Sequence, residues 1–165
     1  MTTVPFVGCV TDTTVINNNG FNGIGIQVNP TGSGLVRATL NRVTVEQNNV
    51  GIKIDGSTSA GTIRTTLRDS VIASNAGGGV WTRSPAGAAT SSFIANSSIN
   101  LNALVGVTAD GANAQVTLMG STIMGNMIGI SGSSGGQMFS YKNNALNFNF
   151  SSDGGFAPGN ILPLN

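Results

Sequence analysis

Ser121-Thr122-Ile123-Met124-Gly125-Asn126-Met127-Ile128-Gly129-Ile130 holds a small unit: an apolar residue, two variable ones, an Asn, then a short run of alternating apolar residues. Versions of it recur along the chain. The apolar-x-x-Asn pair appears at Ile16/Asn19, Val45/Asn48, Ile72/Asn75, Ile99/Asn102, Ile123/Asn126 and Leu146/Asn149. Successive Asn residues lie 29, 27, 27, 24 and 23 positions apart. Periods of this size, with short strand patterns and no helical one, mark a solenoid whose coils stack and share one core.

The flanking sequence fits that reading. The residues 12, 10 and 8 positions before each Asn form a period-2 set, which reads as a strand with one buried face. They are Val7, Cys9 and Thr11, then Val36, Ala38 and Leu40, then Ile63, Thr65 and Leu67. The later coils give Thr90, Ser92 and Ile94, then Ala114, Val116 and Leu118, then Gln137, Phe139 and Tyr141. After each Asn a second strand is expected to turn inward Ile24/Ile26, Ile52/Ile54, Val80/Thr82, Val105/Val107 and Ile128/Ile130. The apolar residue three before the Asn makes a third run. Three short runs per repeat predict a three-sided coil whose parallel strands satisfy the backbone between turns. The expectation is an all-β, single-stranded parallel β-helix of about six coils. It occupies residues 1–149, and 150–165 form a C-terminal capping tail.

Composition narrows function mainly by exclusion. Of the 165 residues, 39% are hydrophobic and only 8% charged, which disfavours a helical bundle or a disordered tail. A net charge of +1 gives no general footprint for nucleic acid. With no His, the commonest general base and zinc ligand are missing. The single Cys9, placed on the buried strand face, reads as inert core. No apolar run approaches the roughly 20 residues of a membrane span, so no membrane insertion is expected. The first residues show no signal-peptide pattern.

The recurring Gly-Ile-x-Ile with Ser/Thr-x-Ile-x-x-Asn, as in Gly51-Ile52-Lys53-Ile54 and Ser121 to Asn126, resembles the right-handed parallel β-helix repeat family, the pectate-lyase-like fold. Ser140-Tyr141-Lys142-Asn143-Asn144-Ala145-Leu146-Asn147 resembles the last coil of small bacterial members of that group. The resemblance implies right-handed coiling and an extracellular or cell-surface setting. Enzymatic members, polysaccharide lyases and glycoside hydrolases, use acidic clusters with a basic residue. Here Asp12, Glu46, Asp55, Asp69, Asp110 and Asp153 include no Asp-x-Asp and no adjacent pair. Stacking places Asp55 beside Arg83, and Asp69 beside Arg42 and Asn96. Neither is the carboxylate pair that glycoside hydrolysis needs, nor a calcium cage of six to eight oxygens. No catalytic residue, metal site or cofactor is therefore expected.

The candidate ligand-binding residues are Trp81, Lys53, Asp55 and Arg83. Stacking sets Lys53 beside Trp81 on an outward face, with Gly25 before and Gly106 after. One pair further along sit Gln27, Asp55, Arg83 and Thr108. An outward Trp among charges can stack on a sugar ring, while the charges take its hydroxyls or carboxylate. The alternative is an indole covered by its neighbours and an Asp55–Arg83 pair with no ligand. Arg37 and Arg64 stack in adjacent coils, with Lys142 further along the same face. They mark either an anion contact or solvated side chains. The outward column Val10, Thr39, Thr66, Phe93, Thr117 and Ser140 is too interrupted for a flat Thr array. The six Asn residues (Asn19, Asn48, Asn75, Asn102, Asn126 and Asn149) are expected to form a structural ladder at a turn, not a site.

The reading is thus a non-catalytic β-helix module of a secreted or surface protein, with polysaccharide as the expected partner and no nucleic acid. The first coil has no capping segment before it, so the expectation is either that the helix continues in a longer chain or that this N-terminal coil self-associates with another subunit. A purely structural repeat is the second reading, and a polysaccharide lyase or glycoside hydrolase the third.

Overall fold

The computed structural model describes residues 6–163. Its first two turns are β1 (Phe6–Ile16) and β2 (Ile24–Val28), then β3 (Val36–Glu46) and β4 (Val50–Asp55). The third is β5 (Ile63–Arg68), β6 (Val71–Ala73) and β7 (Val80–Arg83), and the fourth β8 (Thr90–Ala95), β9 (Ser98–Asn100) and β10 (Val105–Asp110). The fifth is β11 (Ala114–Met119), β12 (Thr122–Met124) and β13 (Ile128–Ser133). β14 (Gln137–Tyr141) and β15 (Ala145–Leu146) begin a sixth, and β16 (Ile161–Leu162) follows.

Every strand pairing is parallel, between neighbouring turns. The long β3 bends at Arg42, whose φ is 52°. Its first half pairs with β5 and its second with β6. The three-sided coil follows: one face continues through β5, β8, β11 and β14, a second through β6, β9, β12 and β15, and a third is β2, β4, β7, β10 and β13. At the N-terminal end β1 and β2 pair on one side only among the described residues, around an opening of about 650 Å³ lined by Val10, Ile26 and Val28. After β15 the chain pairs Ser152 with Ile128, lays β16 on β14 and packs Phe156 against the core.

The interior is a set of stacked columns. Leu40, Leu67, Ile94 and Leu118 form one, and Val45, Ile72, Ile99 and Ile123 another, each 2% exposed or less. The first and last turns depart from the expected alternation. β1 pairs Phe6, Gly8 and Val10 with Val36, Ala38 and Leu40. Val7, Cys9 and Thr11 therefore point outward, and Cys9 is exposed rather than core. In β14, Met138 and Ser140 are buried while Gln137, Phe139 and Tyr141 face out. The offset is 30 residues at β1–β3 (Phe6 to Val36) because the first turn's ladder residue is Asn18, not Asn19, and 22 at β11–β14 (Gln115 to Gln137) because the sixth turn gains a residue between strand and Asn. Lys142 consequently lies in a turn, off the Arg37–Arg64 column.

The Asn ladder is present and internal. The Nδ2 of Asn48, Asn75, Asn102 and Asn126 each donates to Oδ1 of the next ladder Asn, at 3.2, 2.8, 2.9 and 3.0 Å. The same Oδ1 accepts the preceding Asn's backbone N–H. Asn149 ends the run on the Asp153 carboxylate, 2.9 Å away. In the first turn the ladder position is Asn18, whose N–H donates to Asn48 Oδ1 at 3.1 Å, so Asn19 lies off the ladder. The left-handed residue is the one before each Asn: Gln47, Ser74, Leu101, Gly125 and Phe148 all have φ between 53° and 66°. A second ladder runs at the neighbouring corner. Ser70, Ser97 and Ser121 accept the N–H of Val43, Ser70 and Ser97 through Oγ.

Opposite the Asn ladder runs a column of glycines, Gly25, Gly51, Gly79, Gly106 and Gly129. A Cβ on Gly79 would sit 2.5 Å from Gly106 O, 2.8 Å from Ile99 Cγ2 and 2.9 Å from Asn102 Nδ2. Backbone and ladder cannot both yield, so Gly79→Ala is expected to cost about 2 kcal/mol. A urea melt measures it. An unchanged midpoint would show that the corner has slack.

Candidate functional site

Trp81 sits on β7 between Val80 and Thr82, which are buried. Alternation turns it outward, where it is half-buried. Parallel pairing places Lys53 of β4 directly beside it, and Asp55 beside Arg83. The structure thus brings the four expected residues together. Lys53 Nζ lies 5.0 Å and the Arg83 guanidinium carbon 5.8 Å from the indole centroid, so both engage the ring as cations. Trp81 Nε1 is buried with no hydrogen-bond acceptor in the protein.

The charges are arranged to offset one another. Lys53 Nζ is 3.0 Å from Asp55 Oδ2, and Arg83 is 4.0 Å from the same oxygen. Arg83 Nε donates to Asp110 Oδ2 at 3.2 Å, and Asp110 Oδ1 accepts from Ser133 Oγ at 2.9 Å. Burial pushes the Asp55 carboxyl up, but the Ser57 hydroxyl and N–H and the Lys53 ammonium outweigh it. The net shift is downward, so Asp55 stays ionised through the mildly acidic range.

Asp110, Ser57 and Ser133 were not anticipated, because the expected register on this face was partly wrong. Lys53 is flanked by Gln27 and Trp81, and Trp81 by Thr108; the glycines form the separate column described above. The inward pairs lie one step later in three turns, at Ile26/Val28, Val107/Ala109 and Ile130/Gly132, while Ile24, Val105 and Ile128 are half-exposed. The link after each Asn varies in length, which shifts any alignment made on Asn alone. The Gly-Ile or Gly-Val dipeptide that opens each of these strands was the available signal.

Beside Trp81 lies a groove of about 370 Å³. Val50, Val105 and Leu104 give it an apolar lining, and Asn49, Thr108 and Asp110 contribute polar groups. Lys53 and Arg83, which engage the indole as cations, and Asp55 are not among its lining residues. Among the described residues no group of three or more Asp, Glu, Cys or His side chains gathers to bind a metal. Arg83 stands between Asp55 and Asp110 as an ion-pair partner of both.

No curated protein and no solved structure matches the chain. A family model described as a right-handed beta helix region matches residues 24–157, which is most of the chain and includes the ladder from Asn48 to Asn149 and the Trp81 groove. The stacked parallel coils and that match together assign the chain to the right-handed β-helix family.

Proposed function

We propose that this chain is a non-catalytic β-helix module of a secreted or cell-surface protein, and that it binds carbohydrate in the groove beside Trp81. The observation that carries the reading is the indole itself. It is outward, held by two cations, and borders a concave surface with an apolar lining and hydrogen-bonding groups. A sugar ring needs that combination: an aromatic face for its C–H surface and polar partners for its hydroxyls. Wild type on a panel of immobilised oligosaccharides should retain a subset, and Trp81→Ala should lose it by about ten-fold or more, the equivalent of 1.4 kcal/mol. Wild type that retains nothing, or a variant that retains as much, sinks the proposal.

The second reading is a purely structural repeat. It is favoured by the mutual neutralisation of Lys53, Asp55, Arg83 and Asp110, which leaves no free charge to recruit a ligand. The same panel separates the two.

A further inference from the structure

The outward face of the first sheet carries a second set of groups, on the opposite side of the first corner from the ladder and away from Trp81. Four of the five arginines are in β3 and β5. Arg42 is committed to Asp12, with contacts of 2.6 and 2.8 Å. Arg37, Arg64 and Arg68 have no carboxylate within 4.0 Å among the described residues. Arg37 and Arg64 are direct register partners on adjacent strands, both exposed, so two guanidinium stems rise about 4.8 Å apart. Like charges directly opposite on a sheet repel. Arg68 lies four residues along β5 from Arg64, roughly 13 Å away. Its Nε donates to Asn41 Oδ1 at 3.0 Å, which fixes its guanidinium and leaves the other N–H groups free.

No Asp or Glu occupies the three outward columns of this face. They run Val7, Arg37, Arg64, Ser91, Gln115 and Gln137; Cys9, Thr39, Thr66, Phe93, Thr117 and Phe139; and Thr11, Asn41, Arg68, Ala95, Met119 and Tyr141. Thr39 and Thr66 lie between the Arg37/Arg64 pair and Arg68, and Phe93 follows in the next coil.

We propose that this face binds a glycan carrying sulfate or phosphate esters, with Arg37 and Arg64 sharing one ester group and Arg68 holding a second. Shape selects the anion. A planar carboxylate presents one two-oxygen edge, which a single guanidinium fork fills. A tetrahedral ester presents three free oxygens and takes both forks. The distance to Arg68 exceeds the span of a single anion, so the ligand carries at least two. The overall charge of +1 gives no long-range field to gather a nucleic acid, which favours a glycan backbone with local anionic groups.

Isothermal titration tests this with four probes: a sulfated oligosaccharide, the same sugar phosphorylated, its unmodified parent, and a uronic-acid oligomer of equal length. One or both esters should bind, and which one names the source; the parent and the uronate should bind at least about ten-fold more weakly. The double variant Arg37→Gln/Arg64→Gln should weaken the ester by about ten-fold or more, with each single variant between. Lys142→Gln, an equal charge change in a turn, should alter it less than about two-fold. The Arg37 and Arg64 variants should melt no earlier than wild type, since each removes a like-charge contact. Trp81→Ala should leave ester binding intact, which keeps this site separable from the groove. Wild type indifferent to both esters, a double variant that binds as wild type, loss with Trp81→Ala, or single-stranded DNA bound as tightly as the esters would each overturn the assignment.

Discussion

Ile72→Asp is expected to remove about 5 kcal/mol of stability at pH 7, enough to abolish a cooperative urea transition in a domain of ordinary stability. Ile72 is fully buried, with Val45 above it and Ile99 below, both also at 0% exposure. Losing the isoleucyl side chain from a close-packed column costs about 2–5 kcal/mol by itself. The carboxylate adds an ion in the centre of an apolar stack with no cation at hand. Relief by protonation still leaves a polar group among hydrocarbons. Val71 supplies the control. It is one residue away on the same strand but faces outward at 36% exposure, so Val71→Asp should shift the midpoint by less than about 1 kcal/mol. Equal effects at the two sites would mean that the second face is assigned backwards.

The pair also marks how far the sequence could be read. The period, the three-sided coil and the ladder from Asn48 to Asn149 follow from spacing, because a column of identical residues survives a slip of one elsewhere in the turn. Registers between columns do not survive it. Turn one has its ladder Asn at Asn18, as far from Phe6 as Asn48 is from Val36, so counting back from Asn19 put Cys9 in the core when it lies on the surface. The sixth turn gains one residue between Tyr141 and Ala145, so Phe139 faces out and Met138 in. On the third face the link after the Asn varies by one residue among turns two to five and is longer in turn one. There the glycines hold the register, since a Cβ would strike the next strand's carbonyl and the Asn amide together. The Lys53–Trp81 and Asp55–Arg83 contacts were legible because strand alternation aligned Ile52/Ile54 with Val80/Thr82, as the glycines also do, although the Asn residues alone would set the two strands one residue off. Asp110 was not, although it completes the ion-pair chain. The serine ladder was visible only as a recurring Ser/Thr; its hydrogen-bonding role needs the backbone.

Asn75→Asp should be the most informative change on the ladder, because its cost depends on pH. Asn75 Nδ2 donates to Asn102 Oδ1 at 2.8 Å and to Val45 O at 3.3 Å, while its Oδ1 accepts the N–H and Nδ2 of Asn48. A carboxylate keeps the accepting half but turns the donating half into a second oxygen facing two others, in a site 1% exposed. The expected loss at pH 7 is about 3–5 kcal/mol, the range for an uncompensated buried charge. Protonation restores one donor on the same skeleton. Burial and the facing oxygens raise the folded-state pKa of this carboxyl above its unfolded value, so the protonated form is the one the fold tolerates. Stability relative to wild type is then best below the unfolded value near 3.9 and is lost as pH rises through the folded one. Asn75→Ala keeps neither half and strands the buried N–H of Asn48, at a cost of about 1–2 kcal/mol that does not vary with pH. Asn19→Ala, one residue off the ladder, should stay within about 0.5 kcal/mol of wild type. Urea melts of the three variants at pH 4 and pH 7 decide the matter. An Asn75→Asp deficit that is the same at both pH values would mean that the amide column is not a chain of donors and acceptors, and that the corner is held by the glycine contacts alone.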